Sequence, residues 1–400
     1  MRRDTVLAAV GAATAGAAAA GLALRRPLGA NLVARTERRL CRVHQPGPYL
    51  ASEGARELHE SLFVADLHAD SLLWGRDLLK RGERGHVDVP RLIEGNVALQ
   101  VMAASTKSPR HLNLDRNDDR SDDVLLLALA LGWPLRTLRS LTERALFMAG
   151  RAHDLAARSD GRFRVIETAA DLDAHVAARA TSPSTATVLA IEGAHALDND
   201  LDNVDRLFDA GYRMMSPSHF FDTPFGGSAH GIDKGGMTDL GREMIERMEA
   251  RSMLLDLSHA SPATIDDALA VARRAVVVSH TGVRGVADNI RNLTDEQVRG
   301  VAATGGVIGI GFWPTACGGE DAASIVRSIR YAVSIAGVEH VGLGSDFDGA
   351  VPVPFDATGM AQITEALLGD GFSAQDIGRI MGGNVLRLLR ETLPATAAAR

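Results

Sequence analysis

Residues 253–280 carry the sequence MLLDLSHASPATIDDALAVARRAVVVSH, and this stretch indicates the fold. Two aliphatic runs, Met253–Leu257 and Ala275–Ser279, are typical of buried strands, and Pro262–Arg274 between them has a helical pattern. Strands joined by a helical crossover of this length are expected to lie parallel in one sheet. The stretch therefore predicts one strand–helix–strand unit of an α/β protein.

The same alternation extends in both directions along the chain. The eight strand candidates are Leu62–Leu67, Val97–Ala103, Thr187–Ile191, Tyr212–Ser216, Met253–Leu257, Ala275–Ser279, Val307–Phe312 and His340–Gly344. Further helical patterns cover Asp202–Ala210, Met237–Ala250, Thr294–Thr304 and Ala322–Ala336. Eight such repeats predict a single (β/α)8 TIM barrel with its helices outside. Two open-sheet domains are the alternative, but no glycine-rich phosphate loop follows the first strand.

Composition excludes several classes of protein. The 400 residues are 46% hydrophobic and 23% charged, which is typical of a globular protein and not of a disordered one. A net charge of -7 gives no basic footprint for nucleic acid. Two cysteines, Cys41 and Cys317, cannot form a disulfide framework or a cysteine zinc cluster. The 13 histidines are therefore the residues to follow for metal-binding chemistry.

The N-terminal residues differ in composition from the rest. Val6–Leu24 is an uncharged run, mostly alanine and glycine, and arginines crowd its C-terminal flank. We interpret residues 1–30 as a signal sequence or N-terminal membrane anchor and residues 31–60 as a basic linker and lead-in helix. The alternative is an alanine-rich tail without a targeting role.

This interpretation predicts a chain that is membrane-associated or exported to the periplasmic or extracellular side. The arginine flank favours the cytoplasm by the positive-inside rule, so the sequence leaves the sidedness open. We expect a chain that starts near Leu50 to be soluble and active.

Two long polar loops interrupt the alternation. Thr106–Asp123 follows the second strand and precedes two helices that end near Arg158, and Phe220–Gly236 follows the fourth strand. Both leave carboxyl ends of strands, where barrel enzymes hold their active sites. The first loop is either a lid or a solvated charged insertion.

Histidine and carboxylate side chains follow six of the eight strands. They are His68 and Asp70, Glu192, His219, His259, His280, and Asp346 with Asp348. In a TIM barrel these strand ends meet on one face. Buried groups of this kind are costly unless they bind a metal or one another.

The residue types indicate which metal. Imidazoles and carboxylates without thiolates suit zinc, and also manganese, cobalt or iron. His68, Asp70, Glu192, His259 and His280 are more ligands than one four-coordinate ion with an open position can use. They predict two ions, bridged by Glu192 and a hydroxide.

Several motifs together resemble the membrane (renal) dipeptidase family, zinc peptidases of the amidohydrolase barrel group. The resemblance runs from about Phe63 to Leu389. Its motifs are Asp66-Leu67-His68-Ala69-Asp70, Ile191-Glu192-Gly193, Asp256-Leu257-Ser258-His259, Ser279-His280, Gly344-Ser345-Asp346-Phe347-Asp348-Gly349 and Gly382-Gly383-Asn384-Val385-Leu386-Arg387. The sequence departs from the family at Ala69, where the family usually has asparagine, and at Ser218-His219-Phe220, where it usually has Thr-His-Asn.

The resemblance implies a role for each site residue. His68, Asp70 and Glu192 are expected to hold one zinc ion, and Glu192, His259 and His280 the other. His219 is expected to contact the substrate carbonyl, Arg291 the substrate carboxylate, and Asp346 to move the proton.

These roles imply a metal-dependent dipeptidase that hydrolyses dipeptides with a metal-bridging hydroxide. Residues 61–394 are then the (β/α)8 metallo-dipeptidase domain and residues 395–400 a tail. A homodimer is compatible with the sequence, which does not decide the oligomeric state. One alternative is a related amide hydrolase acting on N-acyl-amino acids or lactams. A non-catalytic metal-binding barrel is disfavoured because no ligand is missing.

Overall fold

A computed structural model describes residues 28–395 as an α/β fold built around a curled parallel sheet. The strands are β1 Val64–Ala69, β2 Val97–Ser105, β3 Phe163–Val165, β4 Thr185–Thr187, β5 Leu189–Glu192, β6 Tyr212–Met215, β7 Leu254–Leu255, β8 Val277–Thr281, β9 Val307–Ile310 and β10 Val341–Leu343. Eight of them follow one path in the order β7-β6-β5-β2-β1-β10-β9-β8, and every neighbouring pair is parallel. The predicted α/β class and the eight predicted strands are confirmed.

The barrel predicted from the sequence is not closed by a continuous ladder of backbone hydrogen bonds. The end strands β7 and β8 meet only at an isolated parallel bridge between Asp256 and Val277, where Leu257 N donates to Val277 O at 2.8 Å. Beside it, a carboxylate oxygen of Asp256 accepts from the backbone N of Ser258 at 3.0 Å and of Ser279 at 2.9 Å. Side-chain hydrogen bonds thus take the place of ladder bonds, and the sheet is an open, curled half-barrel.

Two short strands were not predicted. β3 pairs with β4, and β4 pairs with β2 through Leu99 and Ala186. One strand was predicted over Thr187–Ile191, whereas the chain forms two strands separated by Val188. Three-residue strands are too short to give a periodic signal.

Helices surround the sheet. They are α1, described over residues 28–40, α2 Glu53–Ser61, α3 Val89–Glu94, α4 Asp123–Leu131, α5 Leu141–Arg158, α6 Ala169–Arg179, α7 Asp202–Asp209, α8 Asp239–Ala250, α9 Pro262–Val271, α10 Asp295–Ala303, α11 Pro314–Cys317, α12 Ala322–Ala336, α13 Ala361–Gly369, α14 Ala374–Gly378 and α15 Asn384–Thr392. The predicted helices are present, and several begin at a Ser, Thr or Asp that accepts a hydrogen bond from the first turn.

The core lies on both faces of the sheet, which explains the near-continuous hydrophobic strands. One cluster joins strand residues such as Leu67, Leu99 and Val101 to Leu388 of α15, and a larger one joins the strands to the surrounding helices. The Gly382-Gly383-Asn384 motif lies where the chain enters α15. Gly382 has a non-helical backbone with a φ of 170° and forms a kink before α15, and it passes so close to the start of β1 that an added Cβ would lie 2.0 Å from the carbonyl oxygen of Phe63.

No helix within residues 28–395 is long and apolar enough to cross a membrane. The predicted anchor over residues 6–24 lies outside the described residues, so it stays a prediction.

Candidate metal centre

Strand ends bring the predicted ligands to one place. His68 lies on β1 with Asp70 just after it, Glu192 ends β5, and His280 lies on β8. His259 follows β7 closely in the chain. All five side chains are buried.

Glu192 is the centre of the cluster. Its Oε1 lies 3.5 Å from Nε2 of His68, 3.2 Å from Nε2 of His259 and 3.5 Å from Nε2 of His280. Its Oε2 lies 3.3 Å from Nε2 of His219. A single carboxylate therefore contacts four imidazoles from four different strands or strand ends.

Two further carboxylates face His68. An oxygen of Asp70 lies 3.4 Å from its Nε2, and an oxygen of Asp346 lies 4.0 Å away. The ligand atoms fall into three overlapping groups that could each hold an ion: His68–Glu192–His280, Glu192–His219–His259 and His68–Asp70–Asp346. The structure thus also places His219 and Asp346, which were predicted to act on substrate, within ligand distance of the predicted metal ligands.

The buried carboxylates of the cluster favour the binding of a cation. Burial, followed by repulsion from Asp70, raises the pKa of Glu192 well above its usual value. Burial, with a further contribution from Asp70, raises the pKa of Asp346 to about 8, although His68 and Arg291 act in the opposite direction. Carboxylates forced together in this way are stabilised by a bound cation.

Neighbouring groups fix the orientation of His280. The hydroxyl of Ser279 donates to Asp256 at 2.6 Å, so Nδ1 of His280 is the donor in its 2.9 Å bond to Ser279 Oγ. The Nε2 atom of His280 therefore keeps its lone pair and points toward Glu192. Asp256, the first residue of the motif that ends at His259, thus orients His280 through the hydroxyl of Ser279.

The fit to metal is supported by buried atoms without partners. Oδ1 of Asp70 and Nδ1 of His259 have no hydrogen-bond partner among the described residues. The donors are imidazole nitrogen and carboxylate oxygen, which suit zinc and similar divalent ions. The residues present therefore fit a metal centre.

Asp346 has an unusual backbone conformation. Its φ is +60° and that of Asp348 is +62°, and His259 at +63° also lies in the left-handed region. Such strain at non-glycine residues persists only where the surroundings hold it, and it concentrates at functional sites. Gly349 directly follows Asp348, and a Cβ added at Gly349 would lie 1.8 Å from Oδ1 of Asp346.

A pocket opens onto the ligand cluster, and Arg291 lines it while being buried itself. Its Nη2 donates to the carbonyl of His280 at 2.7 Å, and its guanidinium lies over the ring of Trp313, 5.7 Å from the centroid. Burial lowers its pKa to about 10, which leaves it charged at neutral pH. The side chain can therefore offer a cation to an anionic substrate group.

The pocket wall contains residues that sequence reasoning did not assign. His230 lines it, and Nδ1 of this histidine donates to the carbonyl of Leu114 at 2.9 Å. The ring of Phe220 contacts those of His219 and His230 at tilted angles, with centroids 4.3 Å and 5.0 Å away. The only available signal was that their loop is long, rich in His and Gly, and leaves a strand's carboxyl end.

Comparison with known proteins identifies the family. Residues 52–399 match the profile of membrane dipeptidase, peptidase family M19. An uncharacterized dipeptidase of Schizosaccharomyces pombe is 27% identical over 369 residues, covering 86% of this chain and 83% of that protein. Dipeptidase tcpJ of Claviceps purpurea is 27% identical over 331 residues, covering 79% of this chain and 71% of that protein.

Solved structures show the same fold. The metallopeptidase dipeptidase AC superposes with a TM-score of 0.70 at 26% identity, covering 84% of this chain and all of that one. A metallopeptidase from Rhodobacter sphaeroides, solved with a phosphinate mimic of the dipeptide L-Ala-D-Ala, gives a TM-score of 0.69 at 24% identity, over 83% and 99% of the two chains. The protein therefore belongs to the membrane dipeptidase family, peptidase family M19, and is a metal-dependent dipeptidase.

Proposed function

We propose that this dipeptidase uses two divalent ions, with zinc as the expected metal. His68, Asp70 and Glu192 would hold one ion, and Glu192, His259 and His280 the other. The observation that carries the proposal is the convergence of three imidazole Nε2 atoms within 3.5 Å of one oxygen of Glu192. When bound, two such ions lower the pKa of a water and polarise the scissile carbonyl.

Asp346 is the proposed proton carrier. Its carboxylate lies at the edge of the ligand cluster, 4.0 Å from His68, and borders the pocket. It takes the proton from the attacking water and returns it to the leaving amine. His219, which also borders the pocket, contacts the substrate carbonyl oxygen and stabilises the negative charge that develops there.

Arg291 is the proposed recognition group for the substrate carboxylate. A guanidinium can bind a carboxylate through two parallel hydrogen bonds. With the scissile carbonyl held at the metal centre, that carboxylate lies one residue beyond it, so the leaving group is a single amino acid. The phosphinate-bound Rhodobacter relative supports including L,D dipeptides among the candidate substrates.

A second candidate function is the hydrolysis of N-acyl-amino acids or lactams. The pocket wall includes Leu73, Trp74 and Leu112, and these residues also line an apolar groove between α1 and α4. An apolar extension of this kind favours a substrate with an acyl chain. A non-catalytic barrel has no such support, because every predicted ligand is present.

A substrate panel on the zinc-loaded full chain tests this function. L,L dipeptides, L,D dipeptides and N-acyl-amino acids of matched side chain are compared by kcat/KM. We expect hydrolysis of dipeptides and the highest values for free C-terminal carboxylates. Faster hydrolysis of N-acyl-amino acids than of every dipeptide would favour the second candidate.

We also propose that the chain is membrane-associated or exported, with its sidedness open. The support is the uncharged run Val6–Leu24 and its arginine flank. Fractionation of cells that express the full chain tests this proposal. An uncleaved chain found wholly in the soluble cytoplasmic fraction would contradict it.

A further inference from the structure

Helix α1 lies outside the part of the chain that matches the family, which begins at residue 52. It nevertheless packs closely against the domain: Val33 and Cys41 are buried with Trp74, and Gly29 contacts the backbone of Ala130 in α4. Glu37, on the same helix, has no solvent exposure at all. Burying a charged carboxylate raises the free energy of the folded state unless cationic groups lie beside it. Such groups are therefore expected around Glu37.

Two arginines face Glu37. Burial raises the pKa of this carboxylate above its usual value, and both arginines act to lower it. One of its oxygens is in ion-pair contact with Nε of Arg76, and the other with Nε of Arg84. Nη2 of the same Arg76 guanidinium pairs with the carboxylate of Asp348, which is also fully buried. Glu37, Arg76 and Asp348 thus form a continuous buried chain of alternating charge. Burial acts to raise the pKa of Asp348, but the charge of Arg76 and the surrounding hydrogen bonds hold it below its usual value, so this carboxylate stays charged.

Asp348 holds the loop that carries Asp346. Its carboxylate accepts from Ser71 Oγ at 2.6 Å and from His86 N at 2.5 Å. Its backbone N donates to Nδ1 of His86 at 2.9 Å, and its carbonyl accepts from Trp74 Nε1 at 2.7 Å. These bonds fix a turn in which Asp346 and Asp348 both have left-handed backbones, a conformation that needs external support.

We propose that Glu37 is a positioning residue for the reaction: through Arg76 and Asp348 it holds the 344–350 loop so that Asp346 faces the metal centre. The inference rests on the proposed proton role of Asp346. It gives α1, a segment outside the family match, a part in catalysis. Misplacing a proton carrier lowers turnover more than binding, because His219 and Arg291 lie on other strand connections.

The test compares full-length, zinc-loaded variants by kcat, KM and metal content. Glu37→Gln keeps the shape of the side chain and removes the charge that faces Arg76. We expect kcat to fall about tenfold, with KM within about twofold of wild type and metal content unchanged. Ala34→Gly, on the same helix but outside the ion pairs and the cluster of Val33, Cys41 and Trp74, is the matched control, because glycine weakens a helix without touching the loop. It should lower the melting temperature and leave kcat unchanged.

A double-mutant cycle tests the connection itself. If Glu37 acts through Asp348, Glu37→Gln together with Asp348→Asn should lower kcat by clearly less than the product of the single effects. Effects that multiply would overturn the inference. Glu37→Asp retains the buried charge and withdraws it from Arg76, so it provides a folded variant if Glu37→Gln does not fold; it should show a smaller loss of kcat.

Asp346→Asn, measured in parallel, separates the two proposals. Wild-type turnover in Asp346→Asn would refute the proton role on which this inference rests. A large loss in Asp346→Asn together with wild-type kcat in Glu37→Gln and Glu37→Asp would overturn the positioning role alone.

Discussion

The Nε2 atoms of His259 and His280 lie 2.9 Å apart, although the two residues leave different strands. Both face the same oxygen of Glu192. Burial, followed by the nearby positive charge of Arg291 for His259 and of His68 for His280, lowers the pKa of both imidazoles. They are therefore held as neutral donors, the form that binds a metal ion.

Asp346→Asn should abolish most of the turnover. The amide keeps the shape of the side chain but cannot carry the proton, so we expect kcat to fall by about 10²–10⁴. The metal content should remain that of wild type. Asp239→Asn, at an exposed position at the start of α8, is the control and should leave kcat unchanged. Near-wild-type kcat in metal-loaded Asp346→Asn would make Asp346 a structural residue.

Gly349→Ala should displace the Asp346 carboxylate. The added Cβ would lie 1.8 Å from Oδ1 of Asp346, too close for both groups to keep their places. We expect kcat to fall by about tenfold or more, because the proposed proton carrier moves relative to the pocket. Gly369→Ala is the control, since nothing lies within 4 Å of a Cβ added there. Equal kcat in the two variants would show that the position of Asp346 does not limit turnover.

Arg291→Ala should weaken the use of substrates that carry a free C-terminal carboxylate. Losing a charge-assisted pair costs about 1.5–3 kcal/mol, or roughly 10- to 150-fold in kcat/KM. The wild-type enzyme should discriminate against C-terminal dipeptide amides, and Arg291→Ala should not. Arg291→Lys keeps the charge without the two-pronged geometry, so an intermediate value is expected. Equal wild-type rates on a dipeptide and its amide would show that Arg291 does not recognise the carboxylate.

Removal of α1 should destabilise the domain. The sequence predicts that a chain starting near Leu50 is soluble and active, but the structure buries Glu37 of α1 against Arg76. Removing one partner of a buried ion pair costs about 3–5 kcal/mol. A chain that starts at residue 28 should therefore have a larger free energy of unfolding in urea than one that starts at residue 50. Equal unfolding free energies would mean that α1 adds no stability.

Much of the fold and of the metal centre could be predicted from the sequence, for a physical reason. Strands buried on both faces are continuous aliphatic runs, and their carboxyl ends lie on one face, so the sequence alone could place His68, Glu192 and His280 together. The way in which β7 and β8 meet could not be predicted. It depends on hydrogen bonds that the single side chain of Asp256 makes in place of a strand ladder.

The support around the site was harder to predict. Arg76 and Asp348 are 272 residues apart in the chain, and Glu37 lies in a segment that its composition led us to interpret as a linker and lead-in helix. Asp348 is adjacent to a glycine, a pattern more typical of a turn than of a buried ion pair. Pairing between distant charged side chains leaves no periodic pattern in the sequence. The same holds for His230, which a long irregular loop brings into the pocket.

The most direct test of the proposed two-metal centre is a titration of the metal-free full chain with zinc, in which bound metal and dipeptide hydrolysis are measured together. The convergence on Glu192 predicts that the wild-type enzyme binds two ions per chain and that activity saturates at two equivalents. His280→Ala should retain about one ion, because His280 is proposed as a ligand of one ion only, whereas Glu192→Ala should weaken the binding of both. Saturation of binding and activity at one equivalent, or full hydrolysis after complete removal of metal, would contradict the two-metal centre.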